Sequence, residues 1–222
     1  MNSILVIAPH PDDETLGCGG TLLKHKARGD KIHWLIGTEI NKELGYSKEQ
    51  IKLRKKEIGK VSSLFKFDSI NFLGLTSTKV DEYKLSEIIK KISKIITKTQ
   101  PNTIYLPFKG DVHSDHRIIF NAAYSCTKSF RYPFVKKIYM METLSETEFS
   151  PSTKEDSFIP NIFVDISAFL EKKIDIMSIF KSEMGSPPFP RSKETIRALA
   201  TVRGSTVNCL YAESFMLLKE IL

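Results

Sequence analysis

Five consecutive residues near the N-terminus, His10-Pro11-Asp12-Asp13-Glu14, set one imidazole beside three carboxyl groups. Carboxylates this close repel and raise one another's pKa, so the cluster calls for a divalent cation or for water around it. A second group, His113-Ser114-Asp115-His116, follows roughly a hundred residues later, and the two stretches hold three of the five histidines. A catalytic divalent metal usually takes three protein ligands, often two histidines and one carboxylate, and keeps a position for water. His10, one Asp and one histidine of the second group supply that set. The remaining Asp is then placed to take a proton from a water whose pKa the cation has lowered, which is the chemistry of hydrolysis.

Spacing alone does not choose Asp12 over Asp13, or His113 over His116. Three residues apart, the two histidines share a helix face or converge at a helix start, so that one binds metal while the other faces substrate. Asp115 between them can hydrogen-bond an imidazole and orient it. Simple helix capping accounts for one acid but not for a histidine, a turn-stiffening proline and three successive acids. Gly17, Gly19 and Gly20 lack the GxGxxG spacing of a dinucleotide site, and the acids before them would repel a pyrophosphate. They read instead as room for a helix to pack closely on a sheet. His25 and His33, each isolated, read as structural residues.

Both clusters follow apolar runs, Ile4-Leu5-Val6-Ile7-Ala8 and Thr103-Ile104-Tyr105-Leu106-Pro107-Phe108. Strand-like segments near 3–8, 31–37, 69–74 and 103–108 alternate with helix-like segments near 15–28, 47–66, 84–99 and 114–128, with Gly29, Ser47 and Pro101 as stop, cap and separator. This alternation predicts an α/β Rossmann-like three-layer sandwich with a mainly parallel sheet, in which strand carboxyl ends meet at one rim. Further strands are expected near 135–143 and 161–166, helices near 167–182 and 192–203, and loops over 145–160 and Gly185–Pro190. The whole chain, 1–222, reads as one domain, with a core over about 1–130 and a substrate-pocket part over about 131–222.

Net charge is +7, with 41% hydrophobic and 27% charged residues. Lys90, Lys91, Lys94 and Lys98 form the polar side of an amphipathic helix, and no aromatic-interleaved basic stretch accompanies them, so nucleic acid is not expected as a partner. No run of eighteen apolar residues exists, which predicts no integral membrane span and no signal peptide. Cys18, Cys126 and Cys209 are odd in number and far apart, and point to a reducing cytoplasm rather than to disulfides or a thiolate zinc site.

The segments Pro9-His10-Pro11-Asp12-Asp13-Glu14 and His113-Ser114-Asp115-His116 resemble the AHPDDE-type and HxDH motifs of the PIG-L or LmbE-like zinc-dependent N-deacetylases. The resemblance implies removal of an acetyl group from an N-acetylglucosamine-type amine on a larger conjugate. It implies Zn2+, or Fe2+ or another divalent cation, on His10, Asp13 and His116, with Asp12 as general base. It also makes His113 a protonated partner of the tetrahedral oxyanion and leaving amine, oriented by Asp115. Arg54, with Glu57, matches an Arg-x-x-Glu pair for substrate binding. Arg203-Gly204 and Tyr211-Ala212-Glu213-Ser214-Phe215 resemble a C-terminal pattern in which Tyr211 reaches substrate, while Ser182-Glu183 departs from the Ser-Gln of many relatives. The partner implied is a small amino sugar conjugate; the positive balance suggests a phosphate on it, and the pattern allows a homo-oligomer. Two other readings use the same residues: an Fe(II)-dependent oxygenase and a non-catalytic sugar or phosphosugar-binding protein.

Overall fold

The computed structural model describes all 222 residues. Seven strands, β1 (Ser3–Ala8), β2 (Lys31–Glu39), β3 (Ser69–Thr76), β4 (Thr103–Leu106), β5 (Lys137–Met141), β6 (Ile162–Asp165) and β7 (Ala212–Glu220), form one sheet in the order β3-β2-β1-β4-β5-β7-β6. β7 alone runs opposite in direction to the other six strands. Six helices accompany them: α1 (Asp13–Ala27), α2 (Lys48–Phe65), α3 (Leu85–Thr99), α4 (Ser114–Ser125), α5 (Leu170–Met177) and α6 (Lys193–Ser205).

β1 is apolar at every position from Ile4 to Ala8 because helices cover both of its faces. Ile4, Val6 and Ala8 pack with Leu16 and Leu22 of α1, Val61 and Phe65 of α2, Ile174 of α5 and Ile196 of α6. Leu5 and Ile7 face the opposite layer, with Ile88, Ile92 and Ile96 of α3 and Ile119 and Ala123 of α4. The result is a three-layer α/β sandwich. Ser47 closes a capping box with Gln50 at the start of α2, and Gly29 takes the left-handed conformation (φ +82°) after α1.

Two expectations need correction. The chain adds β7 over Ala212–Glu220, and the helix expected over 167–182 is cut to Leu170–Met177, followed by a 3₁₀ turn at Lys181–Glu183. β7 was hidden because Ala-Glu-Ser-Phe-Met-Leu-Leu-Lys-Glu does not alternate, and it lies between two strands that it meets in opposite sense.

From β1 the chain moves outward to β2 and β3, then crosses back to β4 on the other side of β1. This reversal opens a crevice at the carboxyl ends of β1 and β4, the place where such sheets bind ligands.

α1 is not continuous. Cys18 has non-helical backbone (φ −148°, ψ 20°), so Asp13–Gly17 forms a separate first turn. Two side chains from the far end of the sequence bridge the break. Lys173 Nζ donates to the Leu16 carbonyl at 2.7 Å, and the Glu213 carboxylate accepts from the amides of Gly20 and Thr21 at 2.8 and 2.7 Å. Lys173 and Glu213 are themselves paired at 2.7 Å, both buried. The small residues expected here do bring the helix close: a Cβ on Gly17 would stand 2.9 Å from Met141 Cβ, and one on Gly20 2.7 Å from Ile166. Glu213→Ala strips two amides and a buried ammonium of their partner, so urea unfolding is expected to register a loss of about 3–5 kcal/mol; a loss under about 1 kcal/mol would refute the clamp.

Candidate metal centre

The turn after β1 is held against β2. Thr38 donates to the Pro9 carbonyl through its amide (2.9 Å) and hydroxyl (3.0 Å), and a Cβ on Gly37 would stand 3.0 Å from that same oxygen. The turn then projects His10 over the crevice and returns Asp13 to the first position of α1. The His10 amide donates to Asp13 Oδ2 at 2.7 Å, which fixes this carboxylate under the ring. From the other side, His113 precedes α4 and His116 occupies its first turn.

Three donor atoms converge. His116 Nε2 lies 3.3 Å from Asp13 Oδ2 and 3.3 Å from His10 Nδ1, while His10 Nδ1 lies 3.6 Å from Asp13 Oδ2. A tetrahedral cation with ligand bonds of about 2.0–2.1 Å needs its ligand atoms about 3.3–3.4 Å apart. The triangle of His10, Asp13 and His116 fits that requirement, and its two nitrogens and one oxygen suit a borderline divalent ion.

A buried layer fixes the rings. His116 Nδ1 is 2.8 Å from Asp111 Oδ2, and Asp111 Oδ1 accepts from the Thr147 hydroxyl at 2.7 Å, all of it fully buried or nearly so. That bond leaves Nε2 free to point at the triangle. His10 Nε2 is likewise 3.0 Å from Asp115 Oδ2, which also accepts from the Thr78 amide at 2.8 Å. If Asp111 becomes Asn, the imidazole loses its charged anchor. Competition titration with a chelator is then expected to read a metal affinity weakened about 10–100-fold.

Asp115 hydrogen-bonds an imidazole, as the sequence reading allows, but its carboxylate meets His10 rather than the His113 with which the resemblance pairs it. That carboxylate stands 3.9 Å from His113 Nδ1, beyond a hydrogen bond. The Asp115 backbone amide instead donates to His113 Nδ1 at 3.1 Å. With Nδ1 engaged as an acceptor, a neutral His113 carries its proton on Nε2, and burial and the neighbouring His10 push its pKa down to about 4.

The acids divide sharply. Burial alone would raise Asp13, but His116 and His10 hold it down to about 2. Burial would depress His116, yet the Asp13 and Asp111 carboxylates keep it well above the usual imidazole range. Asp12 moves the other way, raised by burial and by the negative charge of Asp13 and Glu183. It also holds a strained left-handed backbone (φ 149°), a conformation non-glycine residues adopt only where the surroundings impose it. Glu14 turns away from the triangle into the protein, bonded to Thr15 and raised to about 8 by burial.

Arg54 reaches the same rim: it donates to the Pro11 carbonyl at 3.3 Å, pairs with Glu57 at 3.2 Å, and bonds Glu183. Tyr211 does not. No contact joins it to the triangle; its backbone binds Ile166 and Ser167, and its ring packs on the hydrophobic core. In the same C-terminal pattern Glu213 serves α1, and Arg203 pairs with Glu142. His25 and His33 are structural, as expected, bonded to Asp30 and Tyr105 and to Ser69.

Sequence reasoning missed three residues. Asp111 sits five positions before His116, in the loop between β4 and α4, and that offset was its only signal. Glu146, raised to about 7 by burial, keeps an unpartnered buried Oε2 beside the centre. Arg191 follows the Pro-rich segment and brings a guanidinium 3.6 Å from Asp12 Oδ2; nothing in its spacing foretold this.

Over 222 aligned residues the chain is 25% identical to the diacetylchitobiose deacetylase of Thermococcus kodakarensis, covering 96% of this chain and 82% of that protein. It is 29% identical over 122 residues to a probable N-acetyl-alpha-D-glucosaminyl L-malate deacetylase 2 of Bacillus cereus, covering 51% of this chain and 55% of that protein. The crystal structure of the conserved protein TT1542 from Thermus thermophilus superposes with a TM-score of 0.80 at 26% identity, covering 100% of this chain and 97% of that one. The PIG-L family model, described as GlcNAc-PI de-N-acetylase, matches residues 5–127, a span that takes in both histidine clusters. With more than half its length matched, the chain belongs to the PIG-L family.

Proposed function

We propose that this protein is a metal-dependent N-deacetylase that hydrolyses the acetamide of an N-acetylglucosamine-type sugar. The observation that carries the reading is the convergence of His10 Nδ1, Asp13 Oδ2 and His116 Nε2 within 3.6 Å, with Asp12 beside them. These three residues would hold the cation, for which zinc is the best match to the donor set. When bound, such a cation lowers the pKa of water and polarises a carbonyl.

The residues of the chain do the rest. Asp12 takes the proton from the attacking water and returns it to the departing amine as the C–N bond breaks, and its approach to Arg191 keeps its carboxylate oriented. His113, with Nδ1 engaged by the Asp115 amide, offers its Nε2–H to the acetyl oxygen as negative charge gathers there. Arg54 binds sugar hydroxyls at the rim. In this division of work residues up to about 130 carry the chemistry, and the later ones supply Glu183, Arg191 and Glu146 around the pocket. The three unpaired cysteines support a reducing compartment such as the cytoplasm; no helix is long and apolar enough to cross a membrane.

The test is release of acetate and a free amine from N-acetylglucosaminyl compounds by the metal-loaded protein. Exhaustive chelation should abolish it and added divalent metal restore it. Undiminished turnover after chelation would end the proposal.

A further inference from the structure

The charges on one wall of the crevice bear on the substrate, and the inference drawn from them rests on the deacetylase reading above. Arg54 and Arg191 are the guanidinium groups on the Asp12 side; both are charge-paired, although the buried Nε–H of Arg191 has no acceptor and is left to a neutral hydroxyl. Arg54 Nε lies 3.2 Å from Glu57 Oε2, and its terminal nitrogens bond the Pro11 carbonyl, the Ser182 hydroxyl and Glu183 Oε1. Arg191 lies 3.2 Å from Glu183 Oε2 and 3.6 Å from Asp12 Oδ2. Glu183 therefore spans the two arginines with one oxygen on each. Glu57 and Glu183 match both cations before Asp12 is counted. The third arginine of the rim, Arg117, spends its Nη1 on the carbonyls of Asp111 and Val112.

The positive excess of the chain lies elsewhere. Lys48, Lys52, Lys55 and Lys56 of α2, and the lysines of α3, are exposed on outer faces. A phosphate or carboxylate entering beside Asp12 would thus meet Glu183 where it needs a guanidinium, and like charges brought together across a binding surface disfavour binding strongly. Sugar hydroxyls have no such conflict: they donate to the remaining carboxylate lone pairs and accept from the arginine N–H groups.

We propose that Glu183 sets the substrate class, reserving this wall for neutral, hydroxyl-rich sugar units and turning away conjugates with an anionic group next to the N-acetylglucosamine ring. This reverses the phosphate-bearing substrate that net charge alone suggests.

The experiment compares kcat/KM of the metal-loaded enzyme on N,N'-diacetylchitobiose and on N-acetylglucosamine conjugates bearing a phosphate or a carboxylate. Binding of the same compounds is measured by calorimetry. The wild type is expected to favour the neutral compound at least about tenfold at low salt. Rising ionic strength should improve the anionic ones and leave the neutral one unchanged. Glu183→Gln keeps shape and folding, checked by its melting temperature, and should shift the preference toward the anionic compounds by about tenfold or more. A wild type that prefers anions, or a preference that Glu183→Gln does not move, overturns the proposal. If no compound releases acetate, the deacetylase reading falls while the preference is still decided by binding.

Discussion

Asp12→Asn leaves a protein that folds, binds one divalent cation and turns over substrate about 10²–10⁴ times more slowly, the range that removal of a general base produces. The amide matches the carboxylate in shape but cannot accept the water's proton. Asp12 is not one of the three converging ligands, so metal content should hold, and the loss should appear in kcat rather than in KM. Steady-state kinetics with metal analysis on the same preparation separates the two. Unchanged turnover would remove Asp12 from the chemistry and favour a protein that holds metal and sugar without reacting.

The second large effect concerns the cation itself. His116→Ala deletes a ligand from a fully buried position and leaves Asp13 and Asp111 facing a void without their imidazole. Metal content should fall from about one ion per chain to near none, and activity with it. Thermal denaturation supplies an independent readout. Metal at a hundred times its dissociation constant stabilises the wild type by about 2.7 kcal/mol and should leave the variant's melting temperature where it was. A variant still stabilised by metal would place the ion elsewhere, for instance among His10, His113 and Asp115, the other group of donors close enough to share one.

Much of the fold was legible because its central strands are buried on both faces. Continuous runs such as Ile4–Ala8 leave no doubt about a central strand, and the crossovers between them follow from helical spacing. The residues proposed to hold the cation were legible for a related reason: they sit at the ends of two such runs, and topology brings those ends together. Choosing among them required either the family motif or coordinates. Asp12 and Asp13 are adjacent and chemically identical, and only the backbone twist at Asp12 sends one carboxylate to His116 and the other toward Arg191. Asp115 shows the limit most clearly. In sequence it stands two residues from His113, but helix geometry points its carboxylate across the crevice to His10 and gives His113 only the backbone amide. Arg191 and Glu183 come from irregular chain after α5, where periodicity carries no information about which way a side chain turns.

Glu213 also links the two ends of the chain in time. The amides it binds belong to Gly20 and Thr21, 193 and 192 residues earlier. On the ribosome the first turn of α1 emerges before its support, because Glu213 follows Gly20 by 193 residues. A nascent chain released before that strand has most of its core and both histidine clusters, yet no clamp on the turn that carries Asp13. The centre is thus completed only once that strand is made, and a chain truncated before Glu213 leaves the turn that carries Asp13 unanchored.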